Sequence, residues 1–155
     1  MDLAEYMALC LGHPQYGYYM SRDPFGKDGD FTTAPEISQL FGEMIGVWLA
    51  DLWIKFGSPS EFILLEVGPG RGVLMADIMR ATRHIAGFHS AAKIHLMEMS
   101  PLLRNAQGRV LVDYETQWID DLNALNSAVP VFIVGNEFLD ALPIRQLEYK
   151  DGKWW

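Results

Sequence analysis

The chain alternates between short apolar runs and stretches in which apolar residues recur at helical spacing. Continuous apolar runs are typical of strands that are buried on both faces of a sheet. Strands are predicted at residues 62–67, 93–97, 115–118, 131–134 and 144–149. Helical spacing predicts helices between them, at residues 73–82 and 100–110. This alternation predicts parallel βαβ units, and therefore a doubly wound α/β fold with a mostly parallel sheet.

The N-terminal part has a different pattern. Residues 2–11 predict a short helix. Residues 12–30 are rich in Gly, Pro, Asp and aromatic side chains, and they predict a long loop with a small hairpin at residues 16–19. Loops of this length within a domain are often functional.

A helix start signal ends this loop. Thr33-Ala-Pro-Glu36 has the pattern of a capping box with proline in the first turn, so one continuous helix is predicted to about residue 56. Residues 1–60 would then form an N-terminal helical and loop extension, and residues 61–155 the α/β domain. Lys150-Asp-Gly-Lys153 predicts a tight turn. The two tryptophans that follow it are unusual for a finished domain, so we expect the sheet to be incomplete on its C-terminal side.

The composition argues against several classes of partner and site for this chain. The net charge is −8, with twelve Lys and Arg against twenty Asp and Glu, so nucleic acid is not an expected partner. No apolar run reaches the roughly 18 residues that a membrane span needs. Cys10 is the single cysteine and the four histidines lack metal-ligand spacing, so neither a disulfide nor a metal site is expected. A reducing, cytoplasmic location fits this composition.

The strongest chemical signal is Glu66-Val-Gly68-Pro-Gly70-Arg-Gly72, directly after the first predicted strand. Glycines at this point let a ligand approach the backbone beside the N-terminal amides of the next helix. Dinucleotide binders need a sixth-position glycine, where this chain has Val73. The spacing acid-x-Gly-x-Gly-x-Gly is instead the form seen in class I S-adenosylmethionine (SAM) methyltransferases, in which Glu66 could attract the SAM ammonium group. A purely structural glycine turn is the alternative.

Acidic residues follow the next two predicted strands. Glu98 ends the second strand, where a doubly wound fold places the acid that binds ribose hydroxyls, and a carboxylate suits a vicinal diol. A solvated surface glutamate is the alternative. Asp120 and Asp121 follow the third strand. One of them could accept a hydrogen bond from the adenine amino group, or the pair could form a solvated turn or a helix cap.

Polar residues also follow the fourth strand, where open α/β sheets have their ligand crevice. Asn136, Glu137 and Asp140 are therefore candidates to face the transferred methyl group. A turn residue and a first-turn helix acid are the alternatives for Asn136 and Glu137. Arg71 reads as a solvent-facing side chain, with the SAM carboxylate as its alternative partner.

Four blocks of the sequence closely resemble the MidA-like methyltransferases, the bacterial and mitochondrial relatives of the complex I assembly arginine methyltransferase. The blocks are GHPQYGYYMSRDPFGKDGDFTTAPEISQLFGEMIGVW, LLEVGPGRGVLMADIMRA, HLMEMSPLLRNAQ and GNEFLDALPIRQ. The resemblance implies a Rossmann-like class I SAM methyltransferase with SAM as cofactor and a protein substrate. For mitochondrial members it implies dimethylation of an arginine on a core complex I subunit, and a location in the mitochondrial matrix.

The resemblance also assigns roles. It gives the methionine end of SAM to Gly68, Gly70 and Gly72 and the ribose to Glu98, and it places Asn136, Glu137 and Asp140, the catalytic candidates, in the crevice. Glu66 and Asp120, which the sequence pattern itself indicates, complete the set of cofactor-binding candidates. Residues 30–38 would cover the cofactor pocket. Glu137, with Asp140, would hold the acceptor guanidinium, because a carboxylate can do so in bidentate fashion. The alternative functions are an inactive assembly factor that keeps the fold and a nicotinamide-dependent oxidoreductase.

Overall fold

The computed structural model describes residues 1–26, 29–125 and 128–155; Lys27 and Asp28 of the predicted loop lie outside the described residues. The N-terminal part contains helices α1 (Leu3–Gly12), α2 (Tyr18–Ser21), α3 (Ala34–Ile37) and α4 (Gln39–Lys55). Asp2 begins α1 with a reciprocal capping box, in which each of Asp2 and Glu5 accepts the other's backbone N–H, at 2.8 and 2.9 Å.

The α/β part contains a parallel sheet. Its strands are β1 (Phe62–Val67), β2 (Ala92–Met97), β3 (Thr116–Ile119) and β4 (Val131–Val134), in the order β3-β2-β1-β4. The helices that connect them are α5 (Val73–Thr82), α6 (Phe88–Ala91) and α7 (Pro101–Val110). All three pairs of neighbouring strands are parallel. β2 and β3 lie on one side of β1 and β4 lies on the other, so the strand order reverses at β1. This order confirms the predicted doubly wound arrangement.

Strand β1 is buried on both faces, as its continuous apolar run predicted. Phe62 and Leu64 point into the larger core, which the helices α4 and α5 cover with residues such as Trp53 and Ile78. The alternate residues of β1 belong to a smaller core on the opposite face, together with Ile119.

Three predicted elements were wrong. The first is the hairpin at residues 16–19, where the chain instead forms a turn, in which Gly17 N–H donates to the His13 carbonyl oxygen, and then enters α2 at Tyr18. The continuous helix from Thr33 is broken at Ser38, whose extended backbone lets the chain change direction before α4 packs on α5. Gly42 and Gly46 allow that close packing.

The third error is the strand at residues 144–149, most of which has no regular structure. Only its end pairs, as β5 (Tyr149–Lys150) with β6 (Lys153–Trp154) in an antiparallel hairpin. Its two turn residues, Asp151 and Gly152, have φ of 53° and 78°, so the tight turn predicted there is confirmed. Within the described ranges, no helix combines the length and apolarity that a membrane crossing requires.

Candidate active site

A cleft of about 470 Å³ opens where the parallel strands end. The glycine loop after β1, Glu98 after β2, Asp120 after β3 and Asn136 after β4 all line it. Open α/β sheets bind ligands here, outside the carboxyl ends of strands where the strand order reverses. The structure therefore brings the predicted site residues together from four strand ends. Gly72, and Asp121 as the alternative to Asp120, are not part of the lining.

The glycine loop requires its glycines. Gly68, Gly70 and Gly72 have φ of 63°, 53° and 85°, a left-handed region that other residues enter at a cost. Space is also limited, since a Cβ on Gly68 would lie 2.6 Å from the Phe138 ring. Gly72 is the N-cap of α5, so the loop runs straight into that helix.

Glu66, the next-to-last residue of β1, is a buried acid. Its side chain is 2% exposed, and among the described residues nothing donates a hydrogen bond to its Oε2. Burial raises the pKa of Glu66 to about 8, and the backbone N–H of Met75 acts in the opposite direction. A buried acceptor without a donor is costly, so a donor supplied by a ligand in the cleft that Glu66 lines would lower that cost.

Glu98 is held by the start of α7. Its Oε1 accepts the backbone N–H of Ser100 at 2.8 Å, and Ser100 is itself the N-cap of α7. Burial raises the pKa of Glu98, while the amide of Ser100 opposes that rise. The carboxylate is thus fixed in position at the wall of the cleft.

Gln107 supports the wall of the cleft, and the sequence pattern did not indicate it as a site residue. Its side chain is fully buried, and its Nε2 donates to the Gly70 carbonyl oxygen at 2.7 Å and to Glu98 Oε2 at 3.4 Å. Its Oε1 accepts the indole N–H of Trp118 at 2.8 Å. Its spacing of four residues from the buried Leu103 places it on the apolar face of α7, and that is the signal which could have identified it.

The two aspartates after β3 have different environments. Asp120 lines the cleft and pairs with Arg104 at 2.5 Å, although its side chain is 88% exposed. Arg104 also donates from Nε to the backbone oxygen of Glu98 at 2.7 Å. Asp121 accepts a hydrogen bond from the backbone N–H of Asn123 at 2.8 Å and caps a 3₁₀ segment. This is the helix-cap role that the sequence offered as an alternative to adenine binding.

The segment after β4 carries the three catalytic candidates. Asn136 Nδ2 donates to Glu137 Oε1 at 3.3 Å. Glu137 has a φ of 52°, and strained backbone of this kind in a residue other than glycine clusters at functional sites. Asp140 lies in a 3₁₀ segment and also lines the cleft.

The N-terminal extension forms part of the cleft. Phe25 lies over the glycine loop, where a Cβ on Gly70 would be 3.5 Å from its ring. Arg71 Nε lies 2.9 Å from Asp23 Oδ2, and Arg71 Nη1 lies 3.9 Å from Glu36 Oε2. Arg71 therefore forms ion pairs with two acids of the N-terminal extension. The sequence predicted a side chain that faces solvent, and these partners were not foreseen.

The cleft is strongly acidic. The carboxylates that line it are Glu36, Glu66, Glu98, Asp120, Glu137 and Asp140. Among the described lining residues they face a single guanidinium, that of Arg71. Burial keeps Glu66 largely protonated near neutral pH, but the other five carboxylates still outnumber the guanidinium, and an excess of negative charge in a cleft favours cationic ligands.

A doubly wound sheet with this glycine loop and an acid after β2 defines a domain of the class I methyltransferase type. Residues 44–155 match the model of the family described as "Putative S-adenosyl-L-methionine-dependent methyltransferase". The chain belongs to this family. Membership confirms the family that the sequence resemblance indicated, and the description of that family names SAM as its cofactor.

Curated relatives extend the match over nearly the whole chain. The protein arginine methyltransferase NDUFAF7 homolog, mitochondrial, of Drosophila melanogaster is 40% identical over 178 residues, which are 99% of this chain and 40% of the relative. The protein arginine methyltransferase NDUFAF7, mitochondrial, of Homo sapiens is 35% identical with the same two coverages. The chain thus spans about two fifths of the length of the curated relatives that it matches.

A solved structure has the same fold. The crystal structure of a COG1565 superfamily member from Burkholderia thailandensis, bound to S-adenosyl-homocysteine, superposes with a TM-score of 0.80 at 28% identity. The match covers 99% of this chain and 41% of that one. It confirms the α/β fold predicted from the sequence.

Proposed function

We propose that this chain provides the SAM-binding part of a protein arginine methyltransferase. The observation that carries the proposal is the buried Glu66 carboxyl group beside the glycine loop, whose Oε2 has no hydrogen-bond donor among the described residues. SAM has a cationic methionine end with an ammonium donor, and Glu66 would meet that group. Gly68 and Gly70 would allow the methionine end to approach the backbone.

Glu98 would hold the ribose. A carboxylate has about four lone-pair sites, and among the described residues Ser100 donates to Oε1 of Glu98 and Gln107 donates to Oε2. The lone pairs that remain could accept hydrogen bonds from the diol. Asp120 would lie near the adenine amino group. Residues 1–60 would act as a cover, since Phe25 and Glu36 already line the cleft.

The residues after β4 would position the methyl acceptor. SAM supplies a methyl group that is already activated on a sulfonium, so alignment of the nucleophile is the main task of the protein. Glu137, with Asp140, would bind a guanidinium and take up the proton that its nitrogen loses. Asn136 would orient Glu137 through their hydrogen bond.

An arginine side chain is the acceptor that these features favour. It is cationic, as the acidic cleft requires, and relatives at 35% and 40% identity are named protein arginine methyltransferases. Together with the sequence resemblance, this leads us to propose a core complex I subunit as the protein substrate. Those relatives are named mitochondrial, which supports the mitochondrial matrix as the location in a eukaryotic cell.

Calorimetric titration of the purified chain with SAM tests the cofactor site. Glu66→Gln should weaken binding at least about tenfold, because the ammonium group loses a charged partner. Asp77→Asn is the matched control. Asp77 is also buried, and its Oδ2 also has no donor within the described ranges, but it lies on α5 outside the cleft lining.

The outcomes separate the candidate functions. A folded chain that does not bind SAM overturns the proposal, and equal weakening by both substitutions removes the role of Glu66. SAM binding without methyl transfer to arginine-containing proteins favours the inactive assembly factor. Preferential binding of NAD favours the oxidoreductase.

A further inference from the structure

The carboxamide of Gln107 joins three separate elements. It contacts the glycine loop through Gly70, the end of β2 through Glu98, and β3 through Trp118. Gly72 also packs directly against it, since an added Cβ there would lie 3.3 Å from Gln107 Cα. Gln107 itself does not line the cleft, whereas Gly70 and Glu98 do.

Only one orientation of the amide satisfies these contacts. The Gly70 carbonyl oxygen and the Glu98 carboxylate only accept hydrogen bonds, and the Trp118 indole nitrogen only donates one. The NH₂ group must therefore face the cleft side, and the oxygen must face β3. The glutamine carboxamide has two N–H donors on its nitrogen and an acceptor on its oxygen, which matches the partners on the two sides.

We propose that Gln107 is a positioning residue that fixes the glycine loop and Glu98 relative to each other and thereby sets the affinity for SAM. The inference rests on the proposed function, because Gly70 and Glu98 are the groups that would contact the methionine end and the ribose. Gln107 acts only through them.

Gln107→Glu is the sharpest test, since it keeps the shape and reverses the hydrogen bonding. A carboxylate at this position faces the Glu98 carboxylate and leaves the Gly70 carbonyl oxygen without its donor. When the new side chain is protonated, its single O–H can donate to one of the two acceptors, the Gly70 carbonyl oxygen or Glu98 Oε2. At each pH the SAM Kd of the variant is compared with that of the original chain. The variant's Kd should be at least about tenfold higher at pH 8 and should approach the original value near pH 5.5.

Two further variants separate positioning from packing. Gln107→Met keeps the length and removes every polar contact, so it should weaken SAM binding about tenfold at both pH values. Trp118→Phe removes one hydrogen bond to the same amide but leaves its contacts with Gly70 and Glu98. It should lower the melting temperature and change the SAM Kd by less than about threefold.

Titration of all four proteins with SAM gives distinct results. If a folded Gln107→Glu chain has the original Kd at both pH values while the original chain binds SAM, the positioning role is overturned and the proposed function stands. If Gln107→Glu does not fold, an unchanged Kd in Gln107→Met overturns the role. Equal weakening in Trp118→Phe and Gln107→Met also overturns it. Absence of binding by the folded original chain overturns the proposed function itself.

Discussion

Arg71 Nε lies 2.9 Å from Asp23 Oδ2, so the middle of the glycine loop is joined to a residue forty-eight positions earlier in the chain. The guanidinium also covers Gly26, where an added Cβ would lie 2.5 Å from Nη1. Together with its contact to Glu36, this anchors the N-terminal extension beside the cleft. The extension is therefore coupled to the loop that would bind SAM.

Arg71→Gln should raise the dissociation rate of SAM several-fold, because the extension loses its anchor over the loop. The change in unfolding free energy should be small, about 1 kcal/mol or less, since these ion pairs are partly exposed. Stopped-flow displacement of bound SAM measures the rate. Lys55→Gln breaks an ion pair to Asp51 on the exposed surface of α4 and should leave the rate unchanged. Identical rates in the two variants would contradict the anchoring role.

Gly68→Ala should destabilise the chain more than Gly57→Ala. Both glycines have positive φ, so each substitution should cost about 1–2 kcal/mol from the backbone alone. A Cβ at Gly57 meets nothing within 4 Å, whereas at Gly68 it meets Phe138 at 2.6 Å. Chemical denaturation measures both costs. Equal values would show that the Phe138 ring moves aside freely.

The sequence predicted those features that depend on local pattern. The apolar run of β1 and the glycine spacing are local, and the structure has a buried strand and a glycine loop at those positions. The break at Ser38 was missed because it depends on how α4 packs against α5, which a capping pattern does not contain. Gln107 and Arg71 were missed or misread because their partners lie far away in sequence, thirty-seven residues for Gln107 to Gly70 and forty-eight for Arg71 to Asp23.

Glu137→Gln should lower the rate of methyl transfer by two orders of magnitude or more and leave SAM binding unchanged. The amide cannot hold a guanidinium in bidentate fashion or take up its proton. Transfer of a labelled methyl group from SAM to arginine-containing protein measures the rate. Glu148→Gln, on an exposed segment outside the cleft, is the control. Normal turnover in the Glu137 variant would remove this residue from the mechanism.

Glu66 should make the chain less stable as pH rises from about 4.5 to about 8. In that window the unfolded chain releases the proton that the native side chain, with its raised pKa, keeps. The native state then binds more protons, so the unfolding free energy falls with pH. Glu66→Gln should match the original chain near pH 4, below the unfolded pKa, and exceed it by a few kcal/mol at pH 8. Urea unfolding at the two pH values measures this, and parallel losses in both proteins would count against the raised pKa.

SAM binding at pH 6.5 should release up to about one proton from Glu66. The side chain is largely neutral at that pH, and the cationic ammonium of SAM favours the carboxylate, so binding and ionisation are coupled. Calorimetric titrations in two buffers of different ionisation enthalpy give the number of protons released. Asp77→Asn should keep this buffer dependence, and Glu66→Gln should lose it. A binding enthalpy that is the same in both buffers for the original chain would mean that Glu66 stays protonated beside the ligand, and the contact with the ammonium group would then have to be an uncharged hydrogen bond.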